Sequence, residues 1–173
     1  MSKNLVLTGM MGVGKSTIGK SLAKKLSFRF IDIDKIIEHE EGSSINLIFK
    51  NKSEKYFRLL ENKITLRQLK KTNAVIALGG GAFLNNSIRS KVKDLCISFW
   101  LDVNTNLLIK RLNKSKKRPL LYKKNLVETI NKIYLERKKT YGEADFRIKC
   151  NSLSSTIITN KIFKLYEYTR DKI

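Results

Sequence analysis

The chain is predicted to fold as an α/β layered structure, a five-stranded parallel sheet with helices on both faces, and two observations predict it. Short apolar runs alternate with longer stretches whose apolar residues recur every three to four positions, the pattern of buried strands joined by crossover helices. The first of these runs leads straight into Gly9-Met10-Met11-Gly12-Val13-Gly14-Lys15-Ser16, which satisfies the P-loop pattern G-x-x-x-x-G-K-[ST] in full. Such a loop works only between a strand end and a helix N-terminus. Its glycines let successive N–H groups point at one phosphate, its lysine reaches the β/γ-phosphates, and its serine hydroxyl can ligate Mg²⁺. A bound nucleoside triphosphate is the first functional expectation.

Each element follows in order. Asn4-Leu5-Val6-Leu7-Thr8 reads as a strand buried on both faces, because its apolar run is unbroken. Ile18, Leu22 and Leu26 form the core stripe of the helix that opens on the P-loop. A second strand is expected over Phe28 to Ile33 and a helix over Asp34 to Glu41, broken by Gly42. Ser43 or Ser44 can cap a short helix over Ile45 to Phe49. A longer helix is expected from Ser53 to Lys70, with Phe57, Leu60 and Ile64 on its apolar side. Ala74 to Leu78 is the third strand and runs into Gly79-Gly80-Gly81; Cys96 to Leu101 is the fourth and Phe146 to Cys150 the fifth. Leu126, Ile130 and Ile133 mark the buried stripe of the helix before the fifth strand, and another helix follows that strand. With no internal repeat and no linker-like composition, residues 1–173 are expected to form one domain.

Composition narrows the class. Hydrophobic content of 42% and charged content of 29% are those of a globular chain with a real core. No apolar run is long enough to span a membrane and no signal-peptide pattern is present, so a cytoplasmic location is expected. Cys96 and Cys150 are isolated in strands and read as buried hydrophobes, not as a disulfide or metal pair. His39 lies among Glu38, Glu40 and Glu41 with no further ligand nearby and reads as a surface residue. The net charge of +21 admits a nucleic-acid-binding reading. The favoured explanation is compositional, since lysines are spread over every expected helix and form no aromatic-interleaved patch.

Four features collect where the strand ends should converge. Asp32 and Asp34 fall on the same side if the second strand continues through them, which suits one carboxylate to bound Mg²⁺ and the other to an attacking hydroxyl; the competing reading is a helix-capping Asp. Arg58 and Glu61 are i, i+3 neighbours, so Glu61 can fix the guanidinium to grip a substrate carboxylate, although such a pair also serves as an ordinary salt bridge. Gly79-Gly80-Gly81 suits a close backbone approach to a ligand, or equally a flexible turn. The fourth is the stretch from Arg111 to Arg137, in which Arg118-Pro119-Leu120-Leu121 stiffens the basic loop that starts at Asn113-Lys114-Ser115-Lys116-Lys117 and can swing Arg118 onto a transferring phosphoryl group. Arg137 continues the stripe of Leu126, Ile130 and Ile133 and should point inward to an anion, either a bound carboxylate or a structural partner such as Glu143 or Asp145.

Taken together, Asp-x-Asp, Phe-Arg-x-x-Glu, Leu-Gly-Gly-Gly-Ala and Arg-Pro-Leu-Leu, in this order behind a P-loop, resemble the shikimate kinase family from Leu5 to about Cys150. The resemblance implies a nucleoside-monophosphate-kinase-like three-layer α/β/α sandwich and transfer of the ATP γ-phosphoryl group to the 3-hydroxyl of shikimate. It implies a P-loop at 9–16, a substrate-binding helical region at 34–61 and a lid at about 113–125. Gly12, Val13, Gly14, Lys15, Ser16 and Thr17 would bind the nucleotide, with Arg111 near adenine and Arg118 on the phosphates. Ser16 and, through water, Asp32 would hold Mg²⁺. Asp34 would orient or deprotonate the attacking hydroxyl, Arg58 and Arg137 would clamp the carboxylate, and Gly80 and Gly81 would present backbone to the ring. Lys15, Asp34 and Arg118 are the expected catalytic residues. ATP, shikimate and Mg²⁺ are the implied ligands of a monomer that needs neither nucleic acid nor membrane. The alternatives are a related small-molecule kinase, such as one for gluconate, and a basic nucleic-acid-binding P-loop protein.

Overall fold

In the computed structural model, which describes residues 3–113, 125–151 and 153–170, five strands form one parallel sheet in the order β2-β3-β1-β4-β5. These are β1 (Asn4–Thr8), β2 (Arg29–Asp32), β3 (Ala74–Ala77), β4 (Cys96–Asp102) and β5 (Phe146–Lys149). The chain first steps from β1 to one side of the sheet and later returns past β1 to the other. Right-handed crossovers in opposite directions place the connecting helices on opposite faces. The described helices are α1 (Lys15–Leu26), α2 (Ile33–Glu41), α3 (Ile45–Lys52), α4 (Glu54–Leu69), α5 (Asn86–Leu95), α6 (Thr105–Asn113), α7 (Leu126–Tyr141) and α8 (Ser155–Arg170).

Position in the sheet accounts for strand composition. Leu5 of the central β1 pairs with Val75 on one side and Ile97 on the other, and Leu5, Val6 and Leu7 are wholly buried. Removing each Leu or Val side chain from water stabilises the fold by at most about 1.5–3 kcal/mol. The outer strands β2 and β5 each bury only their central isoleucine, Ile31 and Ile148. Asn4 is a polar exception whose amide is fully used: its Nδ2 donates to the Leu69 and Lys71 carbonyls, and its Oδ1 accepts from the Ala74 N–H at 2.9 Å. The start of β1 is thereby tied to the turn that leads into β3.

The sequence expectations hold for the element order, and several boundaries move. β2 stops at Asp32 rather than Ile33, so Asp32 and Asp34 do not alternate along one strand. The reason is local: the Asp32 side chain accepts from the Lys35 N–H and caps α2, so Asp32, not Asp34, is the capping residue. Gly42, at φ 59°, ends α2, and Ser44 caps α3, which continues past Phe49 to Lys52. Ser53 caps α4 through the Tyr56 N–H. β3 ends at Ala77, although the Leu78 N–H still donates to Leu7. β4 extends one residue further than expected, to Asp102. Cys96 and Cys150 are both buried and free, and His39 is exposed. No described helix is long and apolar enough to cross a membrane.

Candidate active site

The carboxyl ends of β1, β2 and β3 open onto one place, and the loops there carry most of the residues singled out above. The P-loop leaves β1 at Gly9 and enters α1 through Gly14, whose φ of 101° is a conformation that side chains rarely tolerate. No side chain caps α1, so its first N–H groups remain available to an anion. Lys15 folds back over the loop and donates to the Gly9 and Met10 carbonyls at 2.8 and 2.9 Å. Ser16 Oγ donates to Asp32 Oδ2 at 2.6 Å, so the end of β2 and the P-loop meet directly. Val13 is buried, and its carbonyl accepts from Arg111 Nη1 at 3.4 Å; Thr17 is exposed in the first turn of α1.

Beside this cradle, Gly79, Gly80 and Gly81 each face a different functional group. A Cβ on Gly79 would collide with Glu61 Oε1 and stand 2.8 Å from Asp34 Oδ1. A Cβ on Gly81 would stand 2.6 Å from Arg58 Nη1. A Cβ on Gly80 would stand 3.3 Å from the Met11 nitrogen of the P-loop, and Arg137 Nη1 donates to the Gly80 carbonyl at 3.0 Å. The triple glycine is therefore a close-approach surface rather than a flexible turn. It brings Asp34, Arg58, Glu61 and Arg137 together next to the P-loop.

Arg58 is held on both sides. Its Nη1 donates to Glu61 at 2.7 Å, its Nε and Nη2 reach Glu54 at 3.3 and 3.2 Å, and the guanidinium stacks 5.1 Å from the Phe57 ring centroid. Burial would lower the Arg58 pKa, but Glu61 and Glu54 outweigh it and raise the value, so the group stays cationic. Burial pushes the Glu61 carboxyl above the ordinary carboxylate range, further than Arg58 pulls it back, and nearby Asp34 adds to the rise. Glu61 is 2% exposed, and its Oε1, aimed at Gly79, is a buried oxygen without a hydrogen-bond partner among the described residues.

Arg137 is half-buried and inward-facing as expected, while the structural partners considered for it are engaged elsewhere. Glu143 takes Arg89 and Lys93 at 3.1 and 2.9 Å, and Asp145 accepts from Ser98 Oγ at 2.6 Å. Arg137 thus rests on a backbone carbonyl and is not locked in an ion pair with either. Arg118 and the loop lysines Lys114, Lys116 and Lys117 lie outside the described residues. A groove of about 400 Å³ lined by Lys20, Phe30, Asp32, Lys35 and His39 shares only Asp32 with this assembly.

Of the three glycines, the family resemblance gives a ring contact to Gly80 and Gly81 but not to Gly79, and Tyr141 has no place among the sequence expectations. Gly79 had a signal, as the first glycine after a strand, and Tyr141 had one too, one helical turn beyond Arg137 on the same side of α7.

A family model described as shikimate kinase matches residues 11–167. A shikimate kinase of Persephonella marina is 44% identical over 160 residues, covering 92% of this chain and 96% of the relative. One from a Sulfurihydrogenibium species is 41% identical over 160 residues, covering 92% and 95%. Among solved structures, shikimate kinase from Acinetobacter baumannii in complex with shikimate superposes with a TM-score of 0.93 at 30% identity, over 98% of this chain and 96% of that one. A gluconokinase from Sinorhizobium meliloti, at 16% identity and a TM-score of 0.63 over 98% and 94% of the two chains, shares the fold alone.

Proposed function

The chain belongs to the shikimate kinase family, and from that premise we propose how its residues divide the work. It transfers the γ-phosphoryl group of ATP to the 3-hydroxyl of shikimate, giving shikimate 3-phosphate and ADP. One observation carries the assignment of roles: Asp34, Arg58 and Arg137 converge on Gly79–Gly81 against the P-loop.

In this reading the α1 amides and Lys15 hold the nucleotide phosphates, and Lys15 exchanges its two carbonyl contacts for phosphate oxygens as ATP enters. Ser16 and Asp32 offer adjoining hard oxygen donors that suit Mg²⁺, and no group of three or more His, Cys, Asp or Glu among the described residues could hold a metal ion. Held there with ATP, Mg²⁺ would supply neutralisation of the negative charge on the phosphates. Asp34 accepts the proton of the attacking hydroxyl while the new P–O bond forms and the bond to ADP breaks. Arg58 and Arg137 clamp the shikimate carboxylate and Gly80 and Gly81 lie along the ring, so the ring can turn only one hydroxyl toward the γ-phosphate. Arg118 meets the phosphates from the lid at about 113–125, and Arg111, held on the Val13 carbonyl, lies toward the base. We place the enzyme in the cytoplasm as a monomer of one domain, a state that sedimentation of the purified protein checks.

The test is ADP release from purified protein with ATP and Mg²⁺, comparing shikimate, gluconate, quinate and no acceptor. Release dependent on shikimate alone is expected. Preferential release with gluconate or quinate would overturn the carboxylate pocket while leaving the P-loop roles standing.

A further inference from the structure

Tyr141 closes α7 one turn after Arg137 and is completely buried beneath the site. Its hydroxyl donates to the Gly80 carbonyl and lies 3.9 Å from Met10 Sδ in the P-loop, while its ring packs 6.0 Å from Trp100. Arg137 Nη1 donates to the same carbonyl at 3.0 Å. A carbonyl oxygen has two lone pairs and accepts both donors. Burial raises the Tyr141 pKa despite the pull of Arg137, so the hydroxyl retains the proton it donates.

The carbonyl matters because of what lies at the other end of its peptide. The Gly80–Gly81 bond is trans, so fixing the Gly80 C=O aims the Gly81 N–H in the opposite direction. The Ala82 N–H closes a turn on the Gly79 carbonyl at 3.1 Å, and with glycine at both middle positions the Gly80–Gly81 peptide at its centre can face either way unless outside donors fix it. Among the described residues the Gly81 N–H donates to no backbone carbonyl, and the Arg58 guanidinium closes over this residue.

We propose that Tyr141 is a positioning residue: its hydroxyl, acting with Arg137, locks the Gly80–Gly81 peptide so that the Gly81 N–H is presented to the acceptor's carboxylate between Arg58 and Arg137. The proposal rests on the carboxylate-clamp reading above. Nothing in the side-chain pattern of the pocket announces this donor, because its aim is set from beneath by a residue that never touches the substrate.

Tyr141→Phe keeps the ring in the core and removes only the hydroxyl. Its initial rates are compared with wild type using shikimate and the uncharged methyl ester of shikimate, together with the ATP KM and the melting temperature. The expected result is a shikimate KM raised about tenfold, the scale of one charge-assisted hydrogen bond, with the ATP KM unchanged. The preference for acid over ester should shrink by the same factor. A variant with the wild-type KM and acid–ester ratio overturns the proposal. So does a KM rise shared equally by acid, ester and ATP, which is the signature of general loosening. Arg58→Ala separates the two layers. If it collapses the acid–ester ratio and Tyr141→Phe does not, the clamp stands and the proposal falls; if it leaves the ratio intact, both fall. A second readout is independent of any variant's folding. In wild-type protein labelled with ¹⁵N-glycine, shikimate should move the Gly81 amide proton downfield, and a resonance that stays in place overturns the proposal.

Discussion

Lys15 and Glu61 show how single side chains are prepared before any ligand arrives. The half-buried Lys15 ammonium already donates to the Gly9 and Met10 carbonyls, so moving it onto phosphate trades these neutral acceptors for charged ones. Lys15→Ala should lower kcat by about 10²–10³-fold, and Asp34→Asn by about 10²–10⁴-fold, each with an unchanged circular dichroism spectrum. Turnover near wild type in either variant would remove that residue from the chemistry. Glu61 makes a prediction about stability and pH. Its folded pKa is raised above the 4.5 of an exposed glutamate. Its contribution is therefore complete below the unfolded value and is lost as pH climbs through the folded one. The melting temperature of wild type minus that of Glu61→Gln should fall as pH rises from about 4 to about 8. A difference that grows with pH would mean that the Arg58 ion pair, not burial, dominates this carboxyl.

At the scale of elements, the site depends on how α4 begins. Ser53 is at once the end of α3 and the cap of α4, and it holds φ 90°, a strained value for a residue with a side chain. Ser53→Ala should lose about 1 kcal/mol with the cap, roughly 2–4 °C of melting temperature for a chain of this size. Ser53→Gly gives up the same hydroxyl but relieves the strain, so it should melt above Ser53→Ala and close to wild type. Equal losses in the two variants would show that the dihedral carries no strain. Elements were legible in the sequence wherever a side-chain pattern encoded them, as with the P-loop, the apolar run of β1 and a serine cap on α3, expected at Ser43 or Ser44 and found at Ser44. The turn at Asp32 was not, because an acidic residue after a strand fits both an extended continuation and a helix cap. Only Ile33 and Ile37, buried at helical spacing, decide for the cap. Least legible was the contact of Arg137 and Tyr141 with Gly80, since their partner is a main-chain oxygen.

Across the whole molecule, charge is distributed unevenly. No Asp or Glu precedes Asp32, and none lies between Asp145 and Glu167, so α1 and most of α8 carry lysines without acidic neighbours in sequence. Together with the net charge of +21, this gives a positive field around the P-loop helix that draws in anionic substrates. The kcat/KM for shikimate should fall by up to about tenfold between low and physiological ionic strength, with kcat much less affected. A kcat/KM indifferent to salt would assign the lysines no part in encounter. The central place of β1 has a further consequence, for synthesis on the ribosome. Its two hydrogen-bonding edges stay open until Ala74–Ala77 and then Cys96–Asp102 have been made. The chain just before β1 gains its anchor later still, when Tyr166 of α8 donates to the Lys3 carbonyl at 3.0 Å. Until then a nascent chain exposes a strand with an apolar centre, Leu5-Val6-Leu7, and vacant edges, the kind of segment that invites aggregation and chaperone capture. The phosphate cradle, made before the strands that flank it, is among the last parts of the enzyme to take shape.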